Sequence, residues 1–203
     1  RAELADPTAI EEVFMGNVVS AGLGQAPARQ ASIHAGVPVS VGATTINKVC
    51  GSGLKAVMLA ANAIRSGEGD LFVAGGMESM SRAPFLVDGR TGNLRYGHGQ
   101  LTDALLNDGL WDSFENLGMG DLAEFIANEF GVTRQAMDAY AWNSHQKAIR
   151  AIDSGVFKDE IIPVEIPGKK GQFTLFDTDE PPRRDTTLEG LARLKPAFQA
   201  NGS

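Results

Sequence analysis

A layered α/β fold on a parallel sheet is what residues 12–76 predict, and three observations carry that reading. Short apolar runs alternate with alanine-rich stretches of helical spacing. The last run, Asp70-Leu71-Phe72-Val73-Ala74-Gly75-Gly76, is apolar on both sides, as a strand covered on both faces of a parallel sheet would be. Proline and glycine stand at the junctions, Pro27 at a helix start and Gly36 and Gly67 at helix stops.

Taken in order, Glu12 to Val19 reads as a strand through Val13, Met15, Val18 and Val19. A loop from Ser20 to Ala26 leads to a helix from Pro27 to about Ala35. Val37 to Val41 reads as a short extended segment and Thr44 to Val49 as a stronger strand. Leu54, Val57, Met58, Ala61 and Ile64 then recur at helical spacing until Gly67. Strand, helix, strand, helix, strand is one α/β layer unit.

The character changes after Ser81. Pro84 to Gln100 is loop-like, with Gly89, Gly92, Gly97 and Gly99. Leu101 to Asn107 and Met119 to Phe130 read as helices, the second stopping at Gly131. Thr133 is placed to cap a long helix through Asp153, with Met137, Tyr140, Ala141, Ser144, Ala148 and Ile152 on one side. Glu160 to Ile166 and Gln172 to Asp177 read as a hairpin around Gly168-Lys169-Lys170-Gly171, and Thr186-x-x-Glu189 matches a capping box. The expected division is therefore an α/β core over residues 1–80 and an α+β segment over residues 81–203. Both ends read as cut: Arg1-Ala2-Glu3-Leu4 resembles the tail of a helix, Gln199 to Ser203 stops without a closing element, and a three-strand parallel layer leaves edges unpaired.

The 203 residues are 43% hydrophobic and 21% charged, the composition of a soluble globular chain. A net charge of −7 argues against nucleic acid as a partner, since phosphate binding needs a concentrated basic surface. No apolar stretch reaches the roughly 18 residues of a membrane span, so no membrane partner is expected. One cysteine excludes an internal disulfide and fits a reducing compartment, so the cytoplasm is the expected location. An organelle stays open, because the chain begins with Arg1 and targeting information cannot be read from that end.

That cysteine is the most informative residue. Cys50 follows an apolar, β-branched run and precedes an alanine-rich helical pattern, at a strand-to-helix turn made of small residues. A helix N-terminus favours a thiolate, and glycine and serine leave room for a substrate carbonyl to approach the sulfur. Other candidate sites read as ordinary structure. Gly22-x-Gly24 lacks the third small position of a dinucleotide fingerprint, which is Pro27 here. Gly51-Ser52-Gly53 is not a serine nucleophile elbow. His34, His98 and His145 are too widely spaced for a metal site, and none is expected. Asp177-Thr178-Asp179-Glu180 reads as a solvated hairpin end, and Asn201-Gly202-Ser203 is an acceptor pattern for glycosylation with nothing else to suggest secretion.

Several stretches together resemble the thiolase family. They are Asn47-Lys48-Val49-Cys50-Gly51-Ser52-Gly53-Leu54-Lys55-Ala56, Val73-Ala74-Gly75-Gly76-Met77-Glu78-Ser79-Met80-Ser81 and Gly118-Met119-Gly120-Asp121-Leu122-Ala123-Glu124, with Lys158-Asp159-Glu160-Ile161-Ile162-Pro163-Val164 and Leu194-Lys195-Pro196-Ala197-Phe198. The resemblance covers essentially the whole chain. It implies a partial thiolase-like layered fold with a parallel-containing central sheet, followed by a loop domain that covers coenzyme A.

The implied chemistry is acyl transfer: thiolytic cleavage of a 3-ketoacyl-CoA, or condensation of two acetyl-CoA to acetoacetyl-CoA. A degradative longer-chain thiolase and a non-catalytic CoA-binding member are the alternatives. No cofactor is implied; acyl-CoA and coenzyme A are the substrates, and a homodimer or homotetramer is the expected assembly of the whole enzyme. By resemblance, Cys50 is the nucleophile, Leu110 and Met119 line the pantetheine and acyl site, Arg183 meets the nucleotide end of CoA, and Phe198 is a pocket wall. Gly118 stands where some members have a histidine, and Gly190 where they have a CoA-contacting serine. The family's Gly-His-Pro, Asn-Glu-Ala-Phe-type and Cys-x-Gly-x-Gly motifs are not in these residues. The chain is therefore expected to be an N-terminal-half fragment without turnover of its own.

Overall fold

The computed structural model describes residue 4, residues 6–89 and residues 96–203. These residues form two compact units, one ending at Gly118 and the other running from Met119 to Ser203. This division falls later than the change of character at residue 80. Leu105, Gly109 and Leu110, within the first unit, line a cavity with the end of the first strand.

The first unit is built on a three-stranded parallel sheet. β1 (Glu12–Gly16) lies in the middle, paired with β2 (Gly42–Ile46) on one side and β3 (Phe72–Gly76) on the other. Two helices make the crossovers, α1 (Pro27–His34) and α2 (Ser52–Ser66). Successive side chains of a strand point to opposite faces. Thr45 Oγ1 accepts from the Ala28 N–H at the start of α1, so α1 lies on the face of Val13, Met15 and Thr45. The buried cluster of Ile10, Val13 and Val41 is there, with Met15, Val37, Ala43 and Leu71 against it. Phe14, Gly16, Ala74 and Gly76 share the other face, with α2.

α2 sits very close to the sheet. A Cβ on Gly16 would lie 2.7 Å from Gly53 N and from the Ser52 carbonyl carbon, and one on Gly76 would lie 3.3 Å from Gly53 Cα. Only small side chains fit between layers at this approach. Ser52, Ala56, Ala60 and Ala63 are accordingly the buried residues of α2, while Leu54, Val57, Met58 and Ile64 on the stripe read from periodicity are exposed. β3 also departs from expectation. It is an edge strand of this sheet, and Val73 remains exposed, so it is not covered on both faces. Val37 to Val41 forms a turn-containing loop rather than a strand, and Arg29 holds that loop by donating to the carbonyls of Val39 and Val41.

The rest of the first unit is made of short pieces. β4 (Phe85–Leu86) pairs antiparallel with β5 (Thr102–Asp103), and β6 (Trp111–Asp112) with β7 (Leu117–Gly118). Leu106–Leu110 forms a π-helical turn. The helix expected over Leu101–Asn107 is therefore a strand followed by this turn. Of the expected loop glycines, Gly92 lies outside the described residues.

The second unit holds α3 (Met119–Glu129), α4 (Arg134–Asp153), the antiparallel hairpin of β8 (Val164–Pro167) and β9 (Phe173–Phe176), and α5 (Leu188–Ala192). Thr133 caps α4 by accepting from the Ala136 N–H, as its sequence position predicts. The α5 cap is Thr187, which accepts from the Gly190 N–H, one residue later than the Thr186 expected from the capping-box pattern. Arg134 ties α4 to α5 by donating to the carbonyls of Leu191 and Leu194 at 2.7 and 2.9 Å.

Candidate active site

The carboxyl ends of the three strands converge where α2 begins. Ligands of open parallel sheets bind outside these ends, where helix N-termini and loop N–H groups collect. Here a cavity of about 370 Å³ opens, lined by Cys50 with Gly16, Asn17, Val18 and Val19 after β1, Met77 and Glu78 after β3, and Leu105, Gly109 and Leu110 from the π-helical segment. The Cys50 side chain is exposed and unbonded to any other cysteine.

The turn that carries it is tightly constrained. Val49 adopts φ 48°, the left-handed region that a β-branched residue rarely enters. Its N–H donates to Asn47 Oδ1 at 3.0 Å, and the Gly51 N–H donates to the Lys48 carbonyl. Ser52 Oγ accepts from the Lys48 N–H at 2.8 Å and donates to the Val49 carbonyl at 2.6 Å. The chain thus reverses within a few residues and leaves Cys50 lining the cavity, in the turn just before α2 begins.

The wall beside it is set by Asn17 and Glu78. Asn17 is buried, and its Nδ2 donates to the Met77 carbonyl at 3.1 Å and to Glu78 Oε1 at 3.0 Å. Glu78 Oε2 accepts from the N–H groups of Val18 at 2.8 Å and Val19 at 3.3 Å. Both carboxylate oxygens are therefore engaged in holding the loop after β1, which makes Glu78 a brace rather than a free base. Asn17 Oδ1 is buried with no donor among the described residues. None of the three histidines lines this cavity, and no group of ligands suited to a metal ion occurs among the described residues.

The residues picked out by sequence fall into two groups. Cys50 and Leu110 line the same cavity. Met119, Arg183, Gly190 and Phe198 belong to the second unit. Met119 opens α3, and the Phe198 ring lies over Gly120, the next residue. Gly190 is in the first turn of α5 and donates its N–H to Thr187. Arg183 is exposed; its backbone N–H donates to His145 Nδ1 at 3.1 Å, and its guanidinium makes no ion pair among the described residues. Residue types alone assigned no role to Asn17 or Glu78, and to Ser52 only that of a small residue that leaves the turn open. A signal was present for the first two: they are polar residues just past the carboxyl ends of adjacent strands.

A profile for the thiolase N-terminal domain matches residues 1–203. The chain therefore belongs to the thiolase family. It is 54% identical over 198 residues to an acetyl-CoA acetyltransferase of Pseudomonas aeruginosa, covering 98% of this chain and 50% of that protein. It is 55% identical over 196 residues to a probable acetyl-CoA acetyltransferase of Escherichia coli K12, covering 96% and 49%. The crystal structure of the Bacillus anthracis acetyl-CoA acetyltransferase superposes with a TM-score of 0.91 at 37% identity, over 98% of this chain and 50% of that one. The chain spans about half the length of the curated relatives it matches.

Proposed function

We propose that this chain carries the nucleophile of an acetyl-CoA acetyltransferase, and that Cys50 is the acyl carrier. The observation that supports this most is the exposed thiol at the start of α2, facing a cavity at the carboxyl ends of a parallel sheet. As a thiolate, Sγ attacks the thioester carbonyl of an acyl-CoA. A new C–S bond forms at Cys50, and the bond to coenzyme A breaks with CoA leaving as its thiolate. Condensation then requires a base that takes the α-proton of a second acetyl-CoA, and thiolysis requires one that activates CoA. With Glu78 held by three N–H groups, that base is not among the described residues of this cavity.

In this reading Leu110 contacts the acyl or pantetheine part of the substrate from the cavity wall. Met119 and Phe198 are assigned by the family resemblance to acyl-CoA contacts, and Arg183 to the nucleotide end of CoA, where an exposed guanidinium with no ion pair among the described residues suits a phosphate. Gly190, in place of a CoA-contacting serine, leaves that contact to neighbouring groups. Residues 81–203 form the CoA-covering segment, and the working assembly is a homo-oligomer.

The test is thiolysis of acetoacetyl-CoA by the intact protein. Cys50→Ala should lower kcat by on the order of a thousandfold or more while the protein stays folded. Undiminished turnover would exclude Cys50 as nucleophile. Wild-type protein that binds CoA but turns over neither acetoacetyl-CoA nor longer 3-ketoacyl-CoA would favour the non-catalytic reading.

A further inference from the structure

We propose that Ser52 is a positioning residue for Cys50, its hydroxyl locking Val49 in the left-handed conformation that presents the thiol to the cavity. This rests on the reading of Cys50 as the acyl-carrying nucleophile and adds to it the device that aims the sulfur. Val49 sits at φ 48°. A β-branched L-residue persists there only where its surroundings hold it, because its Cβ crowds the backbone.

The Ser52 hydroxyl supplies much of that hold. It accepts from the N–H of Lys48, the residue before Val49, and donates to the carbonyl of Val49 itself. One oxygen thus bridges the strained residue on both sides. This differs from ordinary capping, in which a side-chain oxygen accepts from an N–H further into the helix. Ser52 Oγ reaches backward to the turn outside α2, so its hydrogen bonds serve the cysteine's approach. Ser52 is also only 4% exposed, and its Cβ is pressed against the bare Cα face of Gly16, where an added Cβ would lie 2.7 Å away. Asn47 Oδ1 completes the lock by accepting the Val49 N–H.

Attack on a thioester carbonyl depends steeply on where the sulfur is held. Loss of the lock lets Val49 relax toward negative φ, and Cys50 turns with it. The lock acts on where the sulfur is held, so the step that slows is acylation of Cys50.

Glycine adopts φ near +48° without crowding, so Val49→Gly removes the need for the lock. The experiment is a double-mutant cycle on the intact protein. Single-turnover acylation by acetyl-CoA is followed by mass spectrometry for wild type, Ser52→Ala, Val49→Gly and the double variant. Ser52→Ala should slow acylation about tenfold when Val49 is present and less than about twofold in the Val49→Gly background. Asn47→Ala, at an exposed position, should show the same suppressible loss at smaller amplitude and covers the case in which Ser52→Ala does not fold. Equal slowing in both backgrounds, or none in either, overturns the proposal while leaving the nucleophile assignment intact. Wild-type protein that takes up no acetyl group overturns both.

Discussion

The two units keep their order in different places. In the first, Ile10, Val13, Val19 and Val41 are buried together with Ala28, Ala56, Ala60, Ala63 and Ala104, and the sheet and α2 meet through glycine at close range. In the second, Ala127 and Glu124 are the buried residues among those described, and both strands of the β8–β9 hairpin are exposed throughout. The first unit therefore holds Cys50 on a turn closed by hydrogen bonds against closely packed backbone, and the second holds its candidates on a largely exposed framework, with Phe198 over Gly120, and Gly190 hydrogen-bonded to Thr187. Changes near Cys50 should disturb geometry and chemistry together, whereas changes around Arg183 should disturb binding.

The largest effect that would sharpen this contrast is Gly16→Ala. The new methyl group would meet backbone of α2 at 2.7 Å and could not be relieved by a side-chain rotation. We expect a loss of about 2–3 kcal/mol in urea unfolding and a collapse of acylation at Cys50. A stable, fully active variant would show that the α2–β1 approach is not what sets the site.

Next is Glu124→Ala. Glu124 is buried, and its carboxylate accepts from the Ser203 N–H and hydroxyl at 2.9–3.1 Å. Its loss leaves those donors unpaired and should cost about 2 kcal/mol of stability. Because Ser203 follows Phe198 closely, KM for acyl-CoA should rise more than kcat falls. A change confined to kcat would break the distinction between the units.

Arg183→Ala should act more mildly, raising KM for CoA substrates by about tenfold or less with little change in kcat. The smallest effect belongs to Arg184 and Asp153, an exposed pair with hydrogen bonds of 2.6 and 3.0 Å. The Arg184 hydrogen bonds hold the Asp153 carboxyl below its ordinary 3.8. A lowered carboxylate contributes stability that is present above 3.8 and lost as pH falls through the lowered value. Screening at the surface keeps this contribution small, so Arg184→Ala should leave the neutral-pH melting temperature unchanged within error.

Much of the fold was legible because local chemistry and tertiary structure agree. Pro27, Gly67 and Thr133 mark real helix ends, and the alternation of strand and helix over residues 12–76 is the observed topology. The face of α2 was not legible. Hydrophobicity selects Leu54, Val57, Met58 and Ile64, but the glycines of the sheet bring α2 too close for any side chain larger than alanine or serine. At the site, Cys50 could be picked out from its small neighbours and the turn they imply. The Val49 backbone, the Ser52 bridge and the Glu78 brace could not, because each is a hydrogen-bond or dihedral relation created only when the turn closes against the strand ends.

The most direct test is to incubate the intact protein briefly with acetyl-CoA, quench in acid and map the acetyl group by peptide mass spectrometry. The account predicts one acetyl group, on the peptide containing Cys50, and none in Cys50→Ala. An acetyl group on any other residue, or the same labelling of Cys50→Ala, would contradict it.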